Sequence, residues 1–282
     1  MEWFPAPGKL NLFLHILGRR AEGPTAGMHE LQTVFRLVAL SDRVGLRLRA
    51  DGELCFDGPF GDDNLCLRAA RLLRETTGCP AGADIALEKR VPVGGGMGGG
   101  SSDAATVLLV LNRQWKLGLR RAELMEIGAR LGADVPLFLF GRNALGEGIG
   151  ERLTGLDLVP AWYLVLAPQV SVSTKEIFTD AALTRDSKPL KIPPFLSGQG
   201  RNDLESTAVR RYPEIAEHLA WLSRRGPQGS FSPRMTGSGA CVFAEFRRRS
   251  EAEALHGQLP ATMRGFVVEG LARHPLYDWV ST

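Results

Sequence analysis

The chain has 282 residues, of which 44% are hydrophobic and 23% are charged, and its formal net charge is +3. These values are typical of a globular protein large enough for two modest domains, and they exclude a disordered chain. The arginine pairs are scattered and mixed with acidic residues, which argues against a nucleic-acid interface.

Targeting and metal-binding patterns are also absent from the sequence. The apolar runs are too short to span a bilayer, and the first residues lack the basic start and apolar core of a signal peptide. The four cysteines form no Cys-x-x-Cys pair, which argues against a zinc site and against a disulfide framework. We therefore expect a cytoplasmic protein with no membrane or nucleic-acid partner and no metal-binding cluster. The oligomeric state stays open.

The chain opens with two predicted strands, residues 3–6 and 9–17. In the second strand, leucine or isoleucine at every other position forms an aliphatic face that we expect to enter the core. The opposite face carries Lys9, Asn11, Phe13 and His15. On the pattern alone, this face is either the solvated side of an antiparallel sheet or the lining of a cleft.

The next segment continues with strands and one helix. Residues 28–39 and 43–50 are predicted strands joined by a turn at residues 41–42. A helix over residues 65–76 and a strand over residues 83–90 follow. This strand leads directly into the most distinctive part of the sequence.

That part is a glycine-rich loop. Residues 92–105 hold six glycines, then two serines and an aspartate, and run into an apolar helix predicted over residues 104–115. Glycines let backbone N–H groups approach a ligand, and a helix N-terminus adds unpaired N–H donors and a positive dipole end. The combination predicts an anion site, most naturally for phosphate. The alternative is a flexible linker or an ordinary turn, which the buried helix that follows disfavours.

The loop also matches Gly-x-Gly-x-x-Gly at Gly94, Gly96 and Gly99. The dinucleotide-binding fingerprint needs an acid about 20 residues further on, where this chain has a turn before another helix. The Walker pattern Gly-x-x-x-x-Gly-Lys-Ser/Thr is absent as well. The sequence therefore predicts a phosphate loop of a third kind.

Asp134 follows a second predicted helix, residues 120–131. It is either the cap of a short helical turn or a functional carboxylate, and the pattern leaves both open. A change of composition near residues 157–160 marks a candidate domain boundary. We therefore expect two domains, residues 1–157 and residues 158–282.

The second half combines helices, strands and a second glycine loop. Helices are predicted over residues 174–182, 203–211, 214–223 and 251–258, with a proline-rich loop over residues 188–200. Gly237 and Gly239 flank Ser238 in a tight loop that precedes a strand. Antiparallel-type strands with separate helices favour an α+β fold over an alternating α/β fold.

Three stretches, residues 5–15, the glycine loop and residues 235–243, resemble in order and spacing the three motifs of the GHMP small-molecule kinases. The similarity covers nearly the whole chain and includes residues 131–136. It implies an α+β, two-domain GHMP kinase fold. A ribosomal-protein-S5-like, ATP-binding domain would span residues 1–157, and a smaller α+β domain would span residues 158–282. The active site would lie in the cleft between them.

Within this family, the resemblance is to members that transfer the γ-phosphoryl group of ATP, with Mg²⁺, to the 2-hydroxyl of a cytidine-diphosphate-linked methylerythritol. This reaction belongs to the non-mevalonate route to isoprenoid precursors, and it depends mainly on positioning and charge neutralisation. The resemblance places Asn64 and Lys89 near the nucleotide base of ATP, and Ser101 or Ser102 within reach of Mg²⁺. It assigns the ATP phosphates to Pro92, Val93, Gly94, Gly95, Gly96, Met97, Gly98, Gly99, Gly100, Ser101 and Ser102.

The catalytic residues that the resemblance implies are Lys9 and Asp134. Asp134 would accept the proton of the substrate hydroxyl, and Lys9 would orient the hydroxyl and offset charge on the transferring group. The polar face of the first strand would then line the cleft. The implied substrate-binding residues are Asn11, His29, Phe178, Gly237, Ser238 and Gly239.

The chain departs from the family pattern at Met28, which stands where members usually carry a tyrosine beside the cytosine. The alternatives are another GHMP kinase, acting on homoserine, mevalonate or a sugar, and a non-catalytic nucleotide-binding regulator. His29 and Phe178 favour a nucleobase pocket, and the presence of both Lys9 and Asp134 favours catalysis. A dinucleotide-binding oxidoreductase is disfavoured by the missing acid.

Overall fold

Two β-sheets organise the fold in a computed structural model that describes residues 1–23, 26–191, 200–226 and 232–281, without the side chain of residue 62. The predicted proline-rich loop over residues 188–200 lies largely outside the described residues. The first sheet contains β1 (Glu2–Arg19), β2 (His29–Arg49), β3 (Leu54–Asp57), β4 (Gly82–Glu88), β5 (Ala144–Gly148) and β6 (Arg152–Gly155). The second contains β7 (Trp162–Leu166), β8 (Arg234–Met235), β9 (Val242–Phe246) and β10 (Gly265–Glu269).

The long strand β2 is the backbone of the first sheet, whose order is β3-β4-β2-β5-β6. β1 pairs with β2 in antiparallel fashion along nearly its whole length. The other edge of β2 is shared, because β4 pairs with residues 43–49 and β5 with residues 31–35. β3 pairs with β4 in parallel.

The N-terminal strands are longer than the sequence predicts. β1 is one strand instead of two, and the predicted turn at residues 41–42 is wrong because β2 continues through it. β1 runs alongside β2 on both sides of this point, and the register shifts between Pro7 and Gly8. The extra residues of β2 therefore form a bulge. A bulge and a true turn can have the same turn-like sequence, so the sequence alone does not distinguish them.

Four helices share one hydrophobic core with the first sheet: α1 (Leu65–Thr77), α2 (Gly99–Gln114), α3 (Arg121–Ala129) and α4 (Val135–Phe140). α2 is the central one, and every residue from 102 to 112 is buried, as its apolar sequence predicts. The helix begins at Gly99 instead of residue 104, because Gly98 before it adopts a left-handed conformation with φ 70°. The glycine loop therefore ends directly on the N-terminus of a buried helix.

The second sheet, in the order β10-β7-β9-β8, is covered on both faces. Leu164 and Leu166 pack with α5 (Thr174–Thr179), α6 (Glu205–Arg211), α7 (Pro213–Arg225) and α8 (Arg249–His256). Tyr163 and Val165 point the other way and pack against residues of β1 and β2. This alternation of period two joins the two sheets through a shared core. The architecture is α+β, as predicted, whereas the boundary between residues 157 and 158 stays a prediction.

The end of the chain returns to the first sheet and its helices. The backbone N–H of Leu271 donates to Leu37 O at 2.7 Å, and that of His274 donates to Gly141 O at 2.8 Å. The buried guanidinium of Arg121 in α3 binds this tail to α4. It donates to the carbonyl oxygens of Leu139, Tyr277 and Val280. In the described part of the chain, no helix is long and apolar enough to cross a membrane.

Arg121→Ala should lower the free energy of unfolding by about 2–5 kcal/mol, because three carbonyl groups lose their donor in a buried place. Urea unfolding followed by circular dichroism measures this change. Arg130→Ala is the matched control, since the exposed Arg130 makes a single 3.3 Å bond to Thr76; its effect should stay within about 0.5 kcal/mol. Equal stability of the two variants would contradict the role given to Arg121.

Candidate active site

A cleft of about 600 Å³ lies between the two sheets. Its lining contains the glycine loop, Lys9 with Asp134, and the rings of His29 and Phe178, and the part of the cleft at these rings is here called the ring end. The loop after β8 contributes Gly237, Ser238 and Gly239. A second cavity, of about 420 Å³, lies on the other side of the glycine loop and is lined by residues 92–101 together with Asn64 and Lys89. The loop is therefore the wall between two neighbouring cavities.

The glycine loop depends on three left-handed residues, Gly94, Gly96 and Gly98, with φ of 68°, 73° and 70°. A Cβ at Gly96 would lie 2.1 Å from the carbonyl oxygen of Thr236 in the second glycine loop. Such a distance is impossible for any other residue type, so Gly96 permits the close packing of the two loops. Backbone N–H groups of residues 240 and 241 donate to Gly94 O and Gly95 O and complete this contact.

Lys9 connects the glycine loop to the middle of the cleft. Its Nζ donates to Gly96 O at 2.7 Å and to Asn11 Oδ1 at 2.6 Å, and lies 3.9 Å from Asp134 Oδ2. Lys9 is 3% exposed. Burial lowers the pKa of its ammonium from the usual value, and the charge of Asp134 opposes that change.

Asp134 stands immediately before α4, yet its side chain makes no capping hydrogen bond to any described residue. The interpretation of Asp134 as a helix cap is therefore wrong. Its side chain is 41% exposed and faces the cleft beside Lys9. A carboxylate that is free on one side and held near an ammonium on the other is available to accept a proton.

Asn11 holds Lys9 in place and is itself held at three points. Its Oδ1 accepts from Lys9, its Nδ2 donates to Thr33 Oγ1 at 2.9 Å, and its backbone N–H donates to Thr236 Oγ1 at 2.9 Å. Thr33 and Thr236 were not identified from the sequence. Thr236 directly precedes the predicted Gly237, but a lone threonine in a sequence gives no functional signal.

The prediction that the whole polar face of β1 lines the cleft is correct for Lys9 and Asn11 and wrong for Phe13 and His15. The register of β1 against β2 shifts between Asn11 and Phe13, which turns the later side chains to the other face. Phe13 is fully buried, and His15 lies against Lys188 O and the backbone N–H of Arg201. Leu14 takes their place in the cleft wall.

Asn64 and Lys89 line the second cavity, but their polar ends are already bonded. Their predicted place near the nucleotide base stays a prediction. Asn64 caps α1, because its Oδ1 accepts from Cys66 N at 2.8 Å, and its Nδ2 donates to Pro59 O at 3.0 Å. The Lys89 ammonium contacts the carboxylates of Asp42 and Asp103. Both side chains therefore shape the cavity and offer it little free hydrogen-bonding capacity.

Asp42 is a structural centre of the loop that the sequence did not reveal. It is fully buried and accepts from the ammonium of Lys89 and from the backbone N–H groups of Arg90 and Val91. Through Lys89 it is joined to Asp103 on the first turns of α2, at an Nζ–Oδ2 distance of 2.7 Å. Burial raises the pKa of Asp103 to about 7, against the opposing charge of Lys89. Asp42 thus links the two ends of the glycine loop.

The two serines at the start of α2 differ in exposure. Ser101 lines both cavities, whereas Ser102 is fully buried and lines neither. Of the two candidates for a contact to Mg²⁺, only Ser101 can face a ligand in the cleft. No group of three or more His, Cys, Asp or Glu among the described residues could hold a metal ion.

The far end of the cleft contains rings. The centroids of His29 and Phe178 are 5.2 Å apart, with their planes tilted by 41°. Met28, which is 44% exposed, lies beside them in the cleft wall. The second glycine loop is fixed nearby, because Ser238 Oγ bonds to Thr174 Oγ1 at 2.7 Å and Gly237 O accepts from Asn202 Nδ2 at 2.7 Å.

Two family models match the chain. "GHMP kinases N terminal domain" matches residues 64–142, and "GHMP kinases C terminal" matches residues 181–265. Proteins of Nitrosospira multiformis and Nitrosomonas europaea, both named 4-diphosphocytidyl-2-C-methyl-D-erythritol kinase, are similar at 54% and 51% identity. The first alignment covers 98% of this chain and 93% of the relative, and the second covers 99% and 100%.

Solved structures agree with the sequence relatives. A crystal structure of 4-(cytidine 5'-diphospho)-2C-methyl-D-erythritol kinase superposes with a TM-score of 0.85 and 35% identity, over 95% of this chain and 99% of that one. A mevalonate kinase structure superposes with a TM-score of 0.70 at 13% identity, over 96% and 99% of the two chains, and shows the fold alone. These similarities cover nearly the full chain and agree with the two glycine loops and with the buried lysine beside a free carboxylate. The chain therefore belongs to the GHMP kinases.

Proposed function

We propose that this protein transfers the γ-phosphoryl group of ATP to the 2-hydroxyl of 4-diphosphocytidyl-2-C-methyl-D-erythritol. The observation that carries the proposal is the convergence of Gly96 O, the Lys9 ammonium and the Asp134 carboxylate in one cleft. The names of the relatives that match the full chain supply the identity of the acceptor. The groups that line the cleft fit this substrate, because they include a glycine loop for phosphates, a carboxylate beside an ammonium, and a pair of rings for a base.

In this reaction Asp134 accepts the proton of the 2-hydroxyl, and the hydroxyl oxygen attacks the γ-phosphorus as ADP leaves. Lys9 remains charged beside the reacting oxygen and offsets the negative charge of the transferring group. Asn11 keeps the ammonium aimed between the glycine loop and Asp134. Because Lys9 is bonded before any substrate arrives, little reorganisation is required in the transition state.

The glycine loop, residues 92–102, holds the ATP phosphates through backbone N–H groups and the N-terminus of α2. The second cavity receives the nucleotide base, since Phe60, Leu65 and Leu87 give it apolar walls. Asn64 and Lys89 support these walls through their bonds to α1 and to Asp42. The phosphate chain then crosses the loop from the second cavity to the Lys9 side.

The ATP is bound with Mg²⁺. This ion typically binds to substrate phosphates and keeps several waters, so a cleft whose described residues form no dedicated carboxylate cluster suits it. Ser101 lines both cavities, so its hydroxyl oxygen is the protein atom that would bind the ion. When bound, the ion neutralises phosphate charge. Ser102 is fully buried and does not reach the ion.

The ring end of the cleft separates this function from those of other GHMP kinases. Homoserine, mevalonate and simple sugars have no aromatic part, so a pair of rings 5.2 Å apart would have no partner in them. A non-catalytic regulator would not need a free carboxylate beside a buried lysine. Incubation with ATP, Mg²⁺ and a panel of these acceptors tests the choice, and turnover of another acceptor in preference to the cytidine-linked one would reject it.

Asp134→Asn should lower kcat by about 100- to 10,000-fold, because the amide keeps the shape of the side chain but cannot accept the proton. ATP affinity, measured by isothermal titration calorimetry, should change little. Asp157→Asn is the matched control, since this carboxylate is 97% exposed and paired with Arg142 away from the cleft. Near-normal turnover of the Asp134 variant would show that this carboxylate is not the proton acceptor.

Asp42→Asn should raise the KM for ATP by about tenfold or more, because an uncharged amide cannot satisfy both Lys89 and the two backbone donors of the loop. The KM for the acceptor should stay within about twofold. Asp84→Asn on β4 serves as the control, because its ion pairs with Arg47 and Arg49 lie at the surface. A parallel rise of both KM values would indicate general loss of structure instead.

Phe178→Ala should raise the KM for the cytidine-linked acceptor by about 5- to 150-fold, the range expected when a base loses one stacking ring. The KM for ATP should stay unchanged. Phe178→Tyr keeps the ring and should behave like the unsubstituted protein. Steady-state kinetics with each substrate varied in turn measures both constants, and an unchanged ratio of the two would place Phe178 outside the base pocket.

A further inference from the structure

Arg185 connects the two sides of the ring end of the cleft. Its Nη1 and Nη2 donate to three backbone carbonyl oxygens in and after α5, those of Phe178, Asp180 and Leu183. Its remaining donor, Nε, lies 3.2 Å from His29 Nε2 at the start of β2. One guanidinium thus fixes the segment that carries Phe178 and at the same time contacts the ring that faces Phe178.

The same nitrogen of His29 has a second arginine donor. Arg19 Nε, on the neighbouring strand β1, lies 3.3 Å from His29 Nε2. A guanidinium has only donors, so Nε2 must carry a lone pair and no proton. A neutral imidazole with an unprotonated Nε2 carries its hydrogen on Nδ1. Burial lowers the pKa of His29, and the charges of Arg19 and Arg185 lower it further, which keeps the ring neutral.

The Nδ1–H of His29 is therefore the polar group that this ring presents to a ligand. His29 lines the cleft, and no described residue accepts a hydrogen bond from its Nδ1. Its ring is also held next to Phe178 by the bonds that Arg185 makes to both segments. A fixed donor beside a fixed ring is a suitable arrangement for reading the edge of a stacked base.

We propose that Arg185 is a positioning residue that locks His29 as a hydrogen-bond donor and thereby selects cytosine over uracil at the ring end of the cleft. The inference rests on the proposed function, because it requires the base of the acceptor to occupy this end. Cytosine has lone pairs at O2 and N3, whereas uracil has a hydrogen on N3. When the Nδ1–H of His29 lies opposite N3 of cytosine, the lone pair of N3 accepts its hydrogen bond. Opposite uracil, the Nδ1–H and the N3–H are both donors, and both are left without an acceptor.

Arg185→Gln and Arg185→Lys test the proposal by kinetics. Both should raise the KM for the cytidine-linked acceptor by about tenfold and lower the preference for cytidine- over uridine-linked acceptor, with the KM for ATP within about twofold of the original. Arg210→Gln is the matched control: Arg210 bonds to the side chain of Asp180 but makes no bond to His29. An unchanged acceptor KM in folded Arg185 variants would overturn the proposal.

A second measurement needs neither a variant nor turnover. The chain has five histidines, so ¹⁵N-labelled histidine gives a tractable set of ring signals, and His29→Gln identifies the one concerned. The unsubstituted protein should show His29 neutral, with the proton on Nδ1. A proton on Nε2 would overturn the proposal even if the Arg185 variants failed to fold.

The two measurements also separate this inference from the proposed function. If the unsubstituted protein shows the Nδ1–H form of His29 but does not phosphorylate the cytidine-linked acceptor, the proposed function is rejected, and with it the assignment of the donor to cytosine. If the acceptor is phosphorylated but the uridine-linked analogue reacts equally well, the function stands and selection by His29 is overturned.

Discussion

The structure of the site depends on one buried ammonium. Lys9 is 3% exposed, and a charge in such a place is tolerated only when its donors are bonded. Its contacts come from three segments that are distant in sequence: a carbonyl of the glycine loop, an amide of its own strand and the carboxylate before α4. Satisfying the charge therefore brings the glycine loop and the carboxylate to one point. The contacts that allow Lys9 to be buried in the folded protein are therefore the same contacts that assemble the site.

Each partner of Lys9 is in turn fixed by a different part of the chain. Asn11 is bonded to Thr33 of β2 and to Thr236 of the loop after β8, so the cleft cannot widen without breaking a buried bond. Gly96 packs against Thr236 because it has no side chain. α4, which follows Asp134, is bound by Arg121 to the returning C-terminal tail. The last residues of the chain thus support a carboxylate near its middle, and this link is visible only in three dimensions.

The sequence revealed those features whose cause is local. A run of glycines followed by an apolar helix predicts a tight loop that ends on a buried helix, and alternation on β1 places Lys9 and Asn11 on one face. The alternation fails at Phe13 because a bulge depends on how β2 lies alongside, which β1 alone does not encode. Asp42 lies in a segment that reads as a turn, although it binds residues 89–91. Arg185 looks like any loop arginine until its distant partner His29 is beside it.

The two ends of the cleft are formed by different chemical groups, backbone groups at one end and side chains at the other. The glycine-loop end uses backbone groups, glycines and a helix N-terminus, so its shape follows from the fold and is insensitive to most side-chain changes. The ring end uses Met28, His29 and Phe178, held by arginines from separate segments. On the proposed function, substitutions at the ring end change the acceptor without disturbing ATP. On the proposed function, the phosphoryl donor is bound mainly by the main chain and the acceptor mainly by side chains, so the two specificities depend on different kinds of group.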